Sequence, residues 1–372
     1  MAMMQRWTMC LLLLPLATVD ASCEPNGCED CCEAPFGGWR SRLARITSEL
    51  RLEAVIEVYD SSRILGSVAL GDLNGDGRLD AVFGSAIASG LVLARDISAG
   101  AETETVVGEL GAGPAPRLAV ANVDDDADLD VVATRLGPAG TTLVENHGEA
   151  WLATSTLAVG GRSILVAEVD GRPPAEVFVV DGEQRLVPVV GSVTGLALGR
   201  DRVDQPMAVD VDGDGDDELA AIGLAEDSRL PERLLLWVND GGAVSEVAIP
   251  FADAGLEAIQ VFLTPGVPEV VIVQPDALLR VPFSERGFGE PIRLPALPDG
   301  VQCDGFCDVV LARLGDGDDR TVIVAARAGP LVAVEATGTR VGDASENDTV
   351  LALDPEGHVW LLDAPACDGE GF

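Results

Sequence analysis

The run Gly71-Asp72-Leu73-Asn74-Gly75-Asp76-Gly77-Arg78-Leu79-Asp80 sets acidic or amide side chains at loop positions 1, 3, 5 and 9, with glycine at position 6. That spacing lets one tight turn aim several oxygens at a single point, as a hard cation such as Ca²⁺ requires. Arg78, at position 7, would add its backbone carbonyl. The glycine takes a sharp turn that a residue with a Cβ resists. The pattern returns as Asn122, Asp124, Asp126, Asp128 and Asp130, with Ala127 in place of the glycine. It returns again as Asp210, Asp212, Asp214, Asp216 and Glu218, with Gly215 in the turn. Asp and Gly are ordinary turn residues, so one such loop reads equally well as a solvated acidic turn. Three in register favour Ca²⁺ sites.

The segments that must hold these loops recur with them. Counting from the first ligand position, anchors fall at Asp72, Asn122, Glu168 and Asp210, with weaker echoes around Val261 and Arg313 and a last one at Asp343. The first six are 50, 46, 42, 51 and 52 residues apart, and the final interval is 30. A short β-rich run follows each loop, and turn clusters such as Val144-Glu-Asn-His-Gly, Trp237-Val-Asn-Asp-Gly-Gly and Asp354-Pro-Glu-Gly separate further apolar runs. Each unit reads as strand, acidic loop, strand, strand, turn, strand. Four short strands in about 45 residues make a propeller blade. Seven anchors predict an all-β, seven-bladed β-propeller.

The last unit is short of its fourth strand, whereas Leu52 to Tyr59 alternates like a strand and precedes the first blade. Pairing the two would close the ring and remove both exposed edges. Ala34 to Arg45, with Pro35, Gly37 and Gly38, reads as a linker. The expected organisation is a signal peptide over 1–21, a Cys-rich segment and linker over 22–48, the propeller over 49–366 and a tail over 367–372.

These loops and spacings resemble those of FG-GAP/VCBS-type repeat proteins, the propellers of integrin α heads and of many bacterial exported proteins. Leu65-Gly66-Ser67-Val68-Ala69 stands where that family has an aromatic-glycine pair before an apolar strand, and Gly84-Ser85-Ala86 stands where it has Gly-Ala-Pro. The resemblance covers about residues 50 to 365 and implies the seven-bladed fold with calcium in its loops.

Other loops depart from the pattern. The third keeps Glu168, Asp170 and Glu176 but has Arg172 at the third ligand position. A guanidinium fork suits carboxylates, so Arg172 is expected either to replace the ion or to point outward from a wet turn. The shortened Asp343-Ala-Ser-Glu-Asn-Asp348 would hold a weakly bound ion or none.

Residues 1–21 combine Arg6, an apolar run from Cys10 to Val19, and small residues at the −3 and −1 positions of Val19-Asp20-Ala21. That is the layout of a cleaved export signal, and no stretch is long enough to span a bilayer. The expected location is secreted, periplasmic or cell-surface, the alternative being a lipoprotein anchored through Cys23. Cys23, Cys28, Cys31 and Cys32 crowd the new N-terminus, Cys303 and Cys307 sit close together, and Cys367 is near the end. In an exported chain such clusters read as disulfides, Cys303 with Cys307 and Cys367 with one of the N-terminal four.

Formal net charge is −38, and all 24 basic residues are arginine. So negative a field excludes nucleic acid and anionic membranes as partners. A hydrophobic content of 47% excludes disorder. The chain without its signal has two histidines, His147 and His358, both beside turn glycines, with one tyrosine and no lysine. That inventory is thin for acid, base or nucleophile, and the clustered carboxylates a glycosidase would need are absorbed by the metal loops. The chain reads as a monomeric, non-enzymatic binding module. A glycan reader needs aromatics to stack on sugar rings, and Trp39, Trp151, Trp237 and Trp360 fall mostly in strands or beside turns. A protein partner is therefore expected, with glycan binding as the alternative and a hydrolase role behind both.

Overall fold

Runs such as Asp130–Thr134, Glu176–Val180 and Glu218–Leu224 are buried at every residue, which marks strands covered on both faces rather than half-wet ones. The computed structural model describes residues 39–364 apart from 61–64, 86–89, 98–101, 107–115, 125, 127, 136–139, 149–150, 170–171, 173, 192–197, 199–200, 213–215, 227–229, 241–242, 255–259, 275–276, 299–306, 313, 315–319, 327–329, 336, 345–347 and 356–357. Within them the chain forms seven antiparallel sheets and one short 3₁₀ turn, Phe251–Ala254.

The first two strands, β1 (Trp39–Ile46) and β2 (Leu52–Asp60), pair with each other. Blade 1 is β3 (Leu65–Gly71), β4 (Asp80–Ser85), β5 (Leu91–Arg95) and β6 (Glu102–Val106). Blade 2 is β7 (Arg117–Ala121), β8 (Asp130–Thr134), β9 (Thr141–Asn146) and β10 (Trp151–Leu157). Blade 3 shows three strands among the described residues, β11 (Ser163–Ala167), β12 (Glu176–Val180) and β13 (Leu186–Val190). Blade 4 is β14 (Val203–Val209), β15 (Glu218–Leu224), β16 (Pro231–Asp240) and β17 (Ala243–Pro250). Blade 5 is β18 (Gln260–Leu263), β19 (Glu269–Gln274) and β20 (Ala277–Ser284), with β21 (Gly287–Phe288) and β22 (Ile292–Leu294) both pairing β20. Blade 6 is β23 (Cys307–Ala312), β24 (Thr321–Ala326), β25 (Pro330–Glu335) and β26 (Gly338–Ala344). The seventh sheet joins β27 (Asp348–Leu353) and β28 (Val359–Ala364) to the N-terminal pair in the order β2-β1-β28-β27.

The strands that open each unit, β3, β7, β11, β14, β18, β23 and β27, follow one another around the centre, with β27 next to β3 again. The fold is the expected seven-bladed β-propeller. Seven buried apolar clusters hold it, each made from two neighbouring blades. The blade 4–5 cluster is large and includes Met207, Leu236, Phe251 and Phe283. The blade 2–3 cluster is small, with Val123, Val132 and Val177 as its buried members.

Three details correct the expected layout. The stretch read as a linker contains β1, whose Ser41, Leu43, Ala44 and Ile46 are buried. It is β1, not Leu52 to Tyr59, that pairs with the C-terminal strand, from Arg42↔Asp363 to Arg45↔Trp360. The seventh sheet thus takes two N-terminal strands. Finally, Asp343 lies in β26, so the segment after it connects two blades. The turn equivalent to the acidic loops is the one between β27 and β28, where Asp354 Oδ1 accepts the His358 N–H at 2.8 Å. No helix among the described residues is long and apolar enough to cross a membrane. The expected signal peptide, all the cysteines except Cys307, and the C-terminal tail lie outside the described residues.

Candidate metal centre

The three acidic loops share a frame built around position 9, the residue that opens the second strand of its blade. Asp80 and Asp130 are fully buried. Asp80 Oδ2 accepts the Leu73 N–H at 3.0 Å and its Oδ1 accepts the Asp96 N–H at 2.7 Å. Asp130 repeats this with Val123 at 3.0 Å and Asn146 at 2.9 Å. Glu176 and Glu218 likewise accept the Val169 and Val211 N–H, at 3.0 and 2.7 Å. Leu73, Val123 and Val169, at position 2, are buried as well, so an apolar plug and a carboxylate fix each loop on its blade. Burial raises the Asp80 and Asp130 carboxyls above their ordinary range, and neighbouring loop acids push the same way.

Blade 4 has the geometry for an ion. One ligand oxygen each from Asp210, Asp212 and Glu218 lie within 4.8 Å of one another. Oxygens around one Ca²⁺, each at about 2.4 Å from it, span up to about 5 Å. Glu218 is fully buried, and the amides of Val211 and Asn239 are all that offset its charge among the described residues. Burial pushes this carboxyl up to about 7, with repulsion from Asp212 adding to it. A buried carboxylate beside two exposed ones, with backbone amides for company, is a site short of positive charge, and a divalent cation fits it. Asp216 is half-buried, its Oδ2 accepting Asn239 Nδ2 at 2.7 Å, while Asp214 lies outside the described residues.

Blade 2 offers Asn122 Oδ1, buried without a partner among the described residues. Asp124 Oδ1 and Asp126 Oδ1 accept the N–H groups two residues on, at 2.8 and 2.9 Å, and Asp128 is exposed. Blade 1 is arranged differently. Asp72 accepts the Asp76 and Gly77 N–H at 3.1 and 2.8 Å, and Asn74 Oδ1 accepts the Asp76 N–H at 3.0 Å. Asp76 is held by Arg78, whose Nη2 donates at 2.7 Å and Nε at 3.1 Å. These bonds hold the Asp76 carboxyl below its ordinary range. The residues that would ligate an ion in blade 1 are thus matched by the loop itself.

In blade 3, Arg172 is exposed, Glu168 is exposed and Glu176 is buried, while Asp170 lies outside the described residues. An ion pair at so exposed a guanidinium contributes little. A guanidinium does meet the position-9 carboxylate in blade 5. Glu269 opens β19 as Asp80 opens β4, and it pairs with Arg280 at 2.8 Å and Arg320 at 3.4 Å.

Ties between neighbouring loops escaped the sequence reading. Asn146 Nδ2, in blade 2, donates to the Leu73 carbonyl of blade 1 at 2.5 Å, and Asn239 Nδ2, in blade 4, donates to the Val169 carbonyl of blade 3. The Ala175 N–H reaches the Asn122 carbonyl at 2.9 Å, and the Glu168 N–H reaches Asp217 Oδ2 at 3.1 Å. The only signal was an asparagine before the turn in Val144-Glu-Asn-His-Gly and again in Trp237-Val-Asn-Asp-Gly.

No family model matches the chain, and no curated protein matches it. Solved structures similar to it include BBS1N in complex with ARL6DN, at 14% identity over 82% of this chain and 93% of that one, with a TM-score of 0.48. YCF48 bound to D1 peptide follows at 11% identity, 82% and 92% coverage and a TM-score of 0.46. SapL1 lectin in complex with alpha methyl fucoside stands at 10% identity, 76% and 97% coverage and 0.41. Likenesses this distant say nothing about function, and the fold rests on the strand pairing above.

Proposed function

We propose that the protein is a calcium-loaded β-propeller that binds a partner protein at or outside the cell surface, as the resemblance to FG-GAP/VCBS-type loops implies. The observation that carries the calcium reading is the convergence of Asp210, Asp212 and Glu218, with the Glu218 carboxylate fully buried. The binding reading rests on the rigid ring, whose loops are set on seven sandwiched cores and so are positioned to hold a partner. A protein partner is favoured over a glycan because Trp237 and Trp360 are buried and Trp151 packs against the blade 1–2 core. None of these three is free to lie flat against a sugar ring.

Extracellular-type sites bind at about 10⁻⁴–10⁻³ M. At ten times Kd each adds about 1.4 kcal/mol by mass action. Thermal melts in chelator and in millimolar Ca²⁺ should differ by several degrees, and Glu218→Gln with Asp212→Ala should remove the blade 4 share of the difference. Identical wild-type melts would overturn the calcium reading. A pull-down from the native host's envelope with and without Ca²⁺, set beside a glycan array, separates the two partner classes.

A further inference from the structure

The seven innermost strands enclose a cavity of ≈ 690 Å³, to which β3, β7, β11, β14, β18, β23 and β27 all contribute. Much of the polar wall is already matched. Arg117 Nε donates to the Arg162 carbonyl at 3.1 Å, tying β7 to β11. Gln205 behaves like a piece of backbone, Nε2 donating to the Val261 carbonyl at 2.8 Å and Oε1 accepting the Leu263 N–H at 3.1 Å. Asp308 accepts the Val309 and Leu351 N–H at 3.0 and 2.8 Å, tying β23 to β27. Asp354 Oδ2 takes His358 Nδ1 and Trp360 Nε1, both at 2.9 Å.

Arg162 differs. It stands immediately before β11 on the cavity wall, and its Nε is buried with no hydrogen-bond partner. The residue is half-buried, in a protein of net charge −38. Arginine keeps its charge, so a buried Nε–H without an acceptor on a wall is a standing demand for one. A carboxylate meets a guanidinium fork with two parallel hydrogen bonds. The rest of the wall is largely aliphatic, including Val68, Leu118, Ile164 and Val310, and the volume is that of a small-molecule pocket. The protein's own field repels polyanions, which limits the ligand to a single negative charge.

We propose that this cavity binds a small apolar monocarboxylate, its carboxylate on Arg162 and its body against the aliphatic wall. The proposal is independent of the calcium loops.

Titration calorimetry on the Ca²⁺-treated full chain would use octanoate and phenylacetate as probes, each against its neutral amide. At least one acid should bind saturably and about tenfold or more tighter than its amide. Arg162→Gln should bring acid and amide level while leaving the melting temperature in place, and Arg162→Lys should keep part of the preference. Absence of acid binding, equal binding of acid and amide to the wild type, or a preference that survives in Arg162→Gln would overturn the assignment. Should Arg162→Gln fail to fold, Ala119→Phe, which fills the cavity from β7, must abolish acid binding, and binding that persists in it would overturn the proposal too.

Discussion

Arg78 Nη2 lies 2.7 Å from Asp76 Oδ2 and the same guanidinium reaches Asp96, so the residue that lends blade 1 its position-7 carbonyl also holds its position-5 acid. Both side chains are solvent-accessible, so the pair exchanges readily with water. An ion in this loop must draw Asp76 away from Arg78. Arg78→Ala should therefore tighten Ca²⁺ binding in blade 1 by about two- to fivefold, the scale of an exposed ion pair. Calorimetry in a background carrying Asp124→Ala and Asp212→Ala would isolate that loop, and an unchanged or weaker affinity would contradict the competition.

Asn146 ties two acidic loops together. It is fully buried, its N–H is held by Asp130, and its Nδ2 serves the carbonyls of Leu73 and Leu129. Asn146→Ala leaves those acceptors unmatched and should cost about 1–3 kcal/mol of stability in urea unfolding. In the same single-loop background it should also weaken Ca²⁺ binding by blade 1, although the residue belongs to blade 2. Unaltered blade 1 affinity would show that the tie carries no coupling.

Glu269 and Arg280 are both largely enclosed, with side chains 14% exposed, so their pair is shielded far better than that of Arg78. Arg280→Ala strands the Glu269 carboxylate and should cost about 1–3 kcal/mol, equally in chelator and in Ca²⁺. Arg172→Ala, at an exposed position, should cost about 1 kcal/mol or less. If urea midpoints rank the two variants in the opposite order, the guanidinium brace belongs to blade 3 after all.

Burial raises the Asp308 carboxyl above its ordinary range, opposed by the Leu351 and Val309 amides and by the charge of Arg117. A folded-state pKa above the unfolded one means that the stability Asp308 contributes is fully present below about pH 4 and is lost as pH rises through the folded value. Asp308→Asn carries no charge at any pH. Its stability relative to wild type should therefore improve steadily from about pH 4 upward, while the acidic loops, present in both proteins, cancel. Urea unfolding of the two at matched pH values reads the difference directly, and a flat difference would refute the assignment.

The blade pattern was legible because the inner hairpins of blades 2, 3 and 4 carry both signals in one stretch, an acidic turn and an all-buried second strand. Glu218–Leu224 and Asp130–Thr134 show this well. The N-terminal strand was hidden by composition. Trp-Arg-Ser-Arg-Leu-Ala-Arg-Ile follows a Pro- and Gly-rich stretch and reads with it as a linker, although Arg42 and Arg45 are only half-exposed. The last anchor was misplaced at Asp343 because Asp354, one proline before a glutamate and a glycine, looks like an ordinary hairpin turn. The compressed final interval was the clue, since Asp354 restores a spacing of 41 from Arg313. The Asn146 and Asn239 ties had no legible signal, because a side chain reaching into the next blade leaves no local period.

Strand β1 meets β28 with Leu43 opposite Leu362, so the first described strand shares a sheet with the last. Bringing segments this far apart costs roughly 5 kcal/mol in closure entropy, and that cost falls on the final step of assembly. Until residues 359–364 arrive, a growing chain has six blades in an open arc whose end cores are uncovered. Both Phe83 of blade 1 and Ile323 of blade 6 belong to cores shared with the seventh sheet. Such an arc is slow to mature and prone to pair with a second copy. The native ring is then kinetically held, because no blade at the junction can leave without uncovering two cores at once.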